Sequence, residues 1–317
     1  MKKMAKSDLE RLLESWPGEG KSRPSSGESP APALLELAER SFAEGKGPAR
    51  ETGLEFLRQT SNPEFLRALG RPELLERWAE AAFAAIRATG YGLGDMFEDR
   101  VRETPERAFI QDMSVSPPRI WTYATAKRHI RETAGALYAL ADAEGLEPRL
   151  AIFAENHAEG AAADLACLFY DILDTPINPH FSLENIVGVC DALAVNMVLA
   201  NDRERIGLLK EARRRTARPF RILVTDPVLR DGDEGTVFLT EFCKQLGAKD
   251  VEARLARRRR FRLDEVATVM FTSGSTGRPK GVSFSIYNLV SKRFARAAAL
   301  PMVGPEEVFL SFLPLSP

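Results

Sequence analysis

From residue 93 onward the sequence alternates short apolar runs with longer stretches whose apolar residues step at helical spacing. The runs fall at 150–154, 175–177, 196–200, 220–225, 266–272 and 308–313. Helical patterns lie between them at 121–143, 157–170, 183–193, 203–215 and 286–299, with a shorter one at 237–246. Runs such as Leu150–Ala154 and Val266–Phe271 are apolar at nearly every position, which suits strands covered on both faces. Strands alternating with helices of about ten residues or more predict an α/β fold, with a mostly parallel sheet flanked by helices.

The first 92 residues have another texture. In 1–32, Lys2, Lys3, Lys6, Arg11, Lys21 and Arg23 mingle with Asp8, Glu10, Glu14, Glu19 and Glu28, and the second half is rich in Gly, Ser and Pro. Such a stretch buries too little apolar surface to offset its ordering entropy. We therefore expect a disordered tail and linker over 1–32, with a short amphipathic helix at 7–16 from Leu9, Leu12 and Leu13. Residues 33–92 read as a helical extension preceding the sheet. Its clearest stripe is Leu74, Leu75, Trp78, Ala82 and Ile86, with Pro72 in the first turn. Gly90, Gly92 and Gly94 then punctuate the chain and suggest a boundary near 92, leaving 93–317 as the second domain.

Charge excludes some classes of partner. The 317 residues hold 44 Lys and Arg against 45 Asp and Glu, a net charge of −1, so nothing draws the whole chain to nucleic acid or an anionic membrane. Six arginines between Arg254 and Arg262 read as a solvated helix end, where cations complement the helix dipole. No apolar run reaches the ~18–20 residues that would span a bilayer. The basic N-terminus is not followed by the apolar stretch of a secretory signal. Cys167, Cys190 and Cys243 are scattered and form no C-x-x-C pair, consistent with reduced thiols and a cytoplasmic location. His129, His157 and His180 lack the spacing of a zinc site, and no Gly-x-Ser-x-Gly elbow supports a serine hydrolase.

The chemistry concentrates in one place. The run 266–271 leads into Thr272, Ser273, Gly274, Ser275, Thr276 and Gly277, then Arg278, Pro279, Lys280 and Gly281. Glycines let backbone approach a ligand closely. Successive backbone N–H groups in such a bend form an anion-binding concavity. Four hydroxyls add donors, and Lys280 adds a point charge after Pro279. This chemistry suits a polyphosphate. The spacing is neither that of the G-x-x-x-x-G-K-[ST] loop nor that of the dinucleotide fingerprint.

Phe271 through Val282 match, without a gap, the phosphate-binding signature of the adenylate-forming (AMP-binding) superfamily, an aromatic residue followed by T-S-G-[ST]-T-G-x-P-K-G-V. The chain resembles that superfamily, and its acyl-CoA synthetases in particular, over about 93–317. Weaker agreement comes from 95–108, Trp121–Tyr123, Glu155–Glu159, Thr175–Pro179, Asn288–Leu289 and Leu313–Leu315. The resemblance implies an ATP-dependent carboxylate-activating ligase that forms an acyl-adenylate and then an acyl-CoA thioester. It implies ATP, Mg2+ and coenzyme A, with a small carboxylate, a fatty acid for example, as substrate. Thr272, Ser273, Gly274, Ser275, Thr276, Gly277 and Lys280 would bind the nucleotide phosphates. Lys280 and Thr276 would be catalytic, and the Thr276 hydroxyl would lie near the metal.

The family's downstream motifs, an acidic metal ligand, a ribose-binding Asp, an Arg and a C-terminal Lys, have no counterpart in these 317 residues. The sequence thus reads as the incomplete N-terminal part of such an enzyme, its C-terminal domain absent, inactive in isolation and completed by another chain. The competing reading is a catalytically dead nucleotide-binding or interaction module that docks through its helical N-terminus.

Overall fold

The computed structural model describes residues 7–16, 29–43, 49–113, 115–229, 232–256, 262–272, 279–304 and 306–311. They divide into two compact units, one running to Met96 and including Tyr287–Leu310, the other comprising Phe97–Ile286 with Ser311.

The first unit is helical: α1 (Asp8–Ser15), α2 (Ala31–Ala43), α3 (Arg50–Thr60), α4 (Pro63–Leu69) and α5 (Pro72–Thr89). Helix α1, expected within a tail, starts with a capping box in which Ser7 Oγ accepts from Glu10 N–H and Ser7 N–H donates to Glu10. It buries Leu9 and Leu13, and Glu10 accepts a hydrogen bond of 2.7 Å from Thr52 of α3. Asn62 caps α4 and Pro63 opens it, while Gly70 and Gly90 end α4 and α5 at φ of 67° and 69°, where a side chain would strain the backbone. Trp78, fully buried, donates its indole N–H to Thr60 Oγ1 at 2.8 Å. The later helix Ile286–Ala299 belongs largely to this unit: Phe294 meets the rings of Trp78 and Tyr91, and the Arg87 guanidinium lies 3.7 Å over the Tyr287 ring.

Helix α6 (Leu93–Glu103) leads into the second unit. An antiparallel pair follows, β1 (Ala108–Asp112) and β2 (Arg119–Thr122), so Trp121 is a strand residue and not the start of a helix. The chain continues as α7 (Tyr123–Asp142), β3 (Arg149–Ile152), α8 (Ala158–Phe169), β4 (Leu173–Pro176), α9 (Leu183–Leu193), β5 (Met197–Ala200), α10 (Arg203–Arg215) and β6 (Arg221–Val224). It ends with β7 (Thr236–Phe238), α11 (Leu239–Gln245), α12 (Ala248–Ala256), β8 (Val266–Thr272), β9 (Lys280–Ser285) and α13 (Ile286–Ala299). The expected strand at 308–313 does not form over its described part: Val308, Phe309 and Leu310 are irregular and 85%, 77% and 80% exposed. An apolar run becomes a strand only where a ladder and a packed face receive it.

The sheet order is β7-β6-β5-β3-β4-β8-β9, with every pair parallel except β8 and β9. Side chains alternate between its faces. Leu150, Met197, Leu199 and Leu223 pack with α7, α8, α11 and α12. Ala151, Phe153, Val198, Ala200, Ile222 and Val224 pack with α9 and α10. The sheet is therefore covered on both faces, as the continuous apolar runs require. After β3 the chain crosses to β4 on one face, and after β4 it crosses back over β3 to β5 on the other. That reversal opens a crevice at the carboxyl ends of β3 and β4, the place where open α/β sheets hold ligands.

Candidate functional site

Strand β8 carries the hydroxyl-rich segment on its carboxyl end, and β9 brings the chain back antiparallel beside it. The register sets Thr272 opposite Lys280, both exposed, at the base of the hairpin. Thr272 Oγ1 points to Lys280 O at 3.5 Å. Among the described residues Lys280 has no carboxylate partner, leaving its ammonium available to an anion. Ser273, Gly274, Ser275, Thr276 and Gly277, with Arg278, lie outside the described residues. The structure thus brings together Thr272 and Lys280 of the expected set.

Two features fix the stems of this hairpin. Gly281 faces Phe271, and a Cβ there would sit 3.0 Å from Val269 Cγ1 and 3.2 Å from the Phe271 ring, so the glycine lets the aromatic fold over the neighbouring strand. Thr175 of β4, fully buried, donates to Val269 O at 2.6 Å and reinforces the otherwise sparse β4–β8 junction. The sequence placed Thr175 in a short strand and in the family-like stretch Thr175–Pro179, but its neighbour Asp174 lay outside both.

Next to the hairpin, across β4, lies the crevice. Ile152, Ala154, Glu155, Asn156, Gly160, Asp164 and Pro176 line a cleft there. Asn201, beyond β5, accepts from Glu155 N–H at 3.1 Å and ties two of the strand-end loops together. Arg205 of α10 pairs with Glu155 and Asp202. His157, at the start of α8, lies with Nδ1 2.8 Å from Glu155 O. A Cβ on Gly160 would fall 2.7 Å from the His157 ring, so a larger residue there would push the imidazole from its place over the start of α8.

Behind the cleft wall, Asp174 of β4 is fully buried beside Asp164 of α8 and Thr268 of β8. Burial, then the adjacent Asp164 charge, push its carboxyl well above the usual aspartate range. Among the described residues no group of three or more His, Cys, Asp or Glu side chains could hold a metal ion. Among the described residues no helix is long and apolar enough to cross a membrane.

These features define an α/β protein whose chemistry-bearing residues gather at the carboxyl edge of a mostly parallel sheet. The chain belongs to the AMP-binding enzyme family, which it matches over residues 97–316, and so to the adenylate-forming superfamily. It is 30% identical over 208 residues to the long-chain-fatty-acid–CoA ligase FadD15 of Mycobacterium bovis, covering 62% of this chain and 32% of that one. It is 24% identical over 178 residues to the long-chain-fatty-acid–CoA ligase 5 of Rattus norvegicus, covering 53% of this chain and 26% of the relative. It therefore spans about a quarter to a third of the length of these relatives. The fold is shared with the acetoacetyl-CoA synthetase of Streptomyces lividans at a TM-score of 0.57 and 16% identity, covering 71% of this chain and 35% of the other. It is shared with a benzoate CoA ligase of Burkholderia xenovorans at a TM-score of 0.52 and 15% identity, covering 67% and 37%.

Proposed function

We propose that this chain forms the phosphate-binding part of an ATP-dependent carboxylate–CoA ligase. The observation that carries the reading is the β8–β9 hairpin, which sets Thr272 against Lys280 at the base of a glycine- and hydroxyl-rich segment. In the reaction a carboxylate oxygen attacks the α-phosphorus of ATP, pyrophosphate leaves, and the thiol of coenzyme A then displaces AMP from the acyl-adenylate. Charge accumulates on the departing phosphates, and preorganised donors and cations lower that cost. Backbone N–H groups and hydroxyls of Thr272, Ser273, Gly274, Ser275, Thr276 and Gly277 hold the β- and γ-phosphates. Lys280 balances the charge of the departing pyrophosphate. The Thr276 hydroxyl would help hold Mg2+, which would supply charge withdrawal from the phosphate oxygens. The relatives' names favour a fatty acid as the carboxylate. We place the protein in the cytoplasm.

The chain spans about a quarter to a third of the length of these relatives, so binding and turnover are tested separately. The 317-residue chain should bind ATP by calorimetry, and Lys280→Ala should weaken binding about 10-fold or more, the scale of one charge-assisted hydrogen bond. The same chain should show no carboxylate-dependent pyrophosphate exchange. Unchanged affinity in the variant would overturn the phosphate-site assignment. Exchange at enzyme-like rates would overturn the need for completion.

A further inference from the structure

Helix α1 is held in the first unit by one face. Leu9, Leu13 and Trp16 recur at i, i+4 and i+7, the spacing of one apolar stripe, and are 1%, 1% and 6% exposed. The other residues of 7–16 are half-buried or exposed. Three later helices make the seat. Helix α1 packs against α2 and α3, and the Trp16 indole meets Phe65 of α4 edge-on, with ring centroids 5.0 Å apart. A polar contact fixes the register: the Thr52 hydroxyl of α3 donates to Glu10, which also closes the capping box at Ser7. An amphipathic helix lies in the groove of a receptor protein with this geometry. An eight-residue helix is barely stable alone in water, so α1 is helical because it is docked. The burial of three side chains opposes the ordering of the ten residues 7–16, and the two effects are of similar size. By sequence, residues 17–28 hold three Gly, three Ser and two Pro and no large apolar side chain, so the docking energy resides in α1 itself.

We propose that the seat on α2, α3 and α4 is a docking site for an amphipathic helix, filled by α1 of the same chain and open to α1 of a second copy, so that two copies exchange their first helices. The occupant is the second copy because its α1 is the helix whose fit the structure displays. That helix carries apolar anchors at i, i+4 and i+7 and a carboxylate one residue after the first. In cis the covalent link raises the local concentration of α1 to about millimolar and adds no contact of its own. A second chain competes for the seat as its concentration approaches that value. The exchange is reciprocal, since each chain gives up one helix and receives one. The inference concerns the helical unit and does not rest on the ligase reading, since its readouts need neither ATP nor turnover.

The test uses the full chain and a fluorescent peptide of residues 7–16. In a Leu9→Ala/Leu13→Ala chain the resident α1 is weakened and the seat is untouched. Fluorescence anisotropy should show the peptide binding this chain at least ~10-fold more tightly than the wild type, where α1 in cis competes. A peptide carrying the same two alanines should bind neither chain. If the double variant does not fold, Ser7→Ala/Glu10→Ala, which removes the cap and the bond to Thr52 but keeps the anchors, is judged by the same criterion. Sedimentation of the wild type at ~1 mM should then show a dimer that excess unlabelled peptide converts to monomer. No binding to the opened chain, or equal binding to both chains, would overturn the docking site. A concentrated wild type that stays monomeric, or a dimer that the peptide leaves intact, would overturn the second copy as its occupant.

Discussion

Gly281 shows how one residue can shape a site without touching a ligand. Its missing side chain lets Phe271 and Val269 cover the backbone of β9, which holds Lys280 in register with Thr272. A Gly281→Val substitution places methyl groups inside that contact, and both neighbours are buried. Overpacking of this kind costs ~1–3 kcal/mol. Urea denaturation should show the midpoint falling with its slope unchanged, and ATP affinity should fall with it because the stem that aims Lys280 is displaced. A variant as stable as wild type, binding ATP equally well, would remove Gly281 from any role in positioning. At this scale the phosphate-binding signature was legible as a linear string, since its chemistry lies in adjacent residues. Asp164, Asp174 and Thr268 were not, because they are scattered over α8, β4 and β8 and only the register of the sheet assembles them. The visible trace was an aspartate interrupting an apolar run, between Leu173 and Thr175.

Among elements, the central strands were legible for a physical reason. Because β5 and the stretches of β3 and β6 after their first arginine are covered on both faces, their residues are apolar and the run stands out. Strands β1 and β2 have mixed exposure, so their sequences carry no such mark, and β9 is largely exposed as well. The same trait makes β9 a hazard. It is an outer strand of the sheet, and Val282 on it is 43% exposed. Edge strands present unpaired backbone groups that template pairing with other chains, and charged side chains oppose this. Val282→Lys should therefore slow heat-induced aggregation, read as light scattering, while chemical stability stays within ~0.5 kcal/mol as for an ordinary surface change. If scattering rates are equal, the exposed edge of β9 is not the route to association.

For the whole molecule the governing quantity is charge balance. That Tyr287–Leu310 joins the first unit could not be read from the sequence, because it depends on contacts such as Phe294 with Trp78 across some 200 residues of chain. With 44 cationic and 45 anionic side chains, and an isoelectric point near 6.4, the molecule carries almost no net charge near neutrality. Little long-range repulsion then opposes contact between copies. Val308, Phe309 and Leu310, at 85%, 77% and 80% exposure, supply apolar surface for such contact. Self-association should peak close to pH 6.4 and fall on either side, measured as static light scattering of a concentrated solution across pH 5–9. Replacing Val308 and Phe309 with Glu should lower the whole profile and move its maximum to more acid pH, since two carboxylates shift the balance as well as removing the patch. A profile that rises or falls steadily with pH, or one the double variant leaves unaltered, would show that neither the charge balance nor this segment controls association.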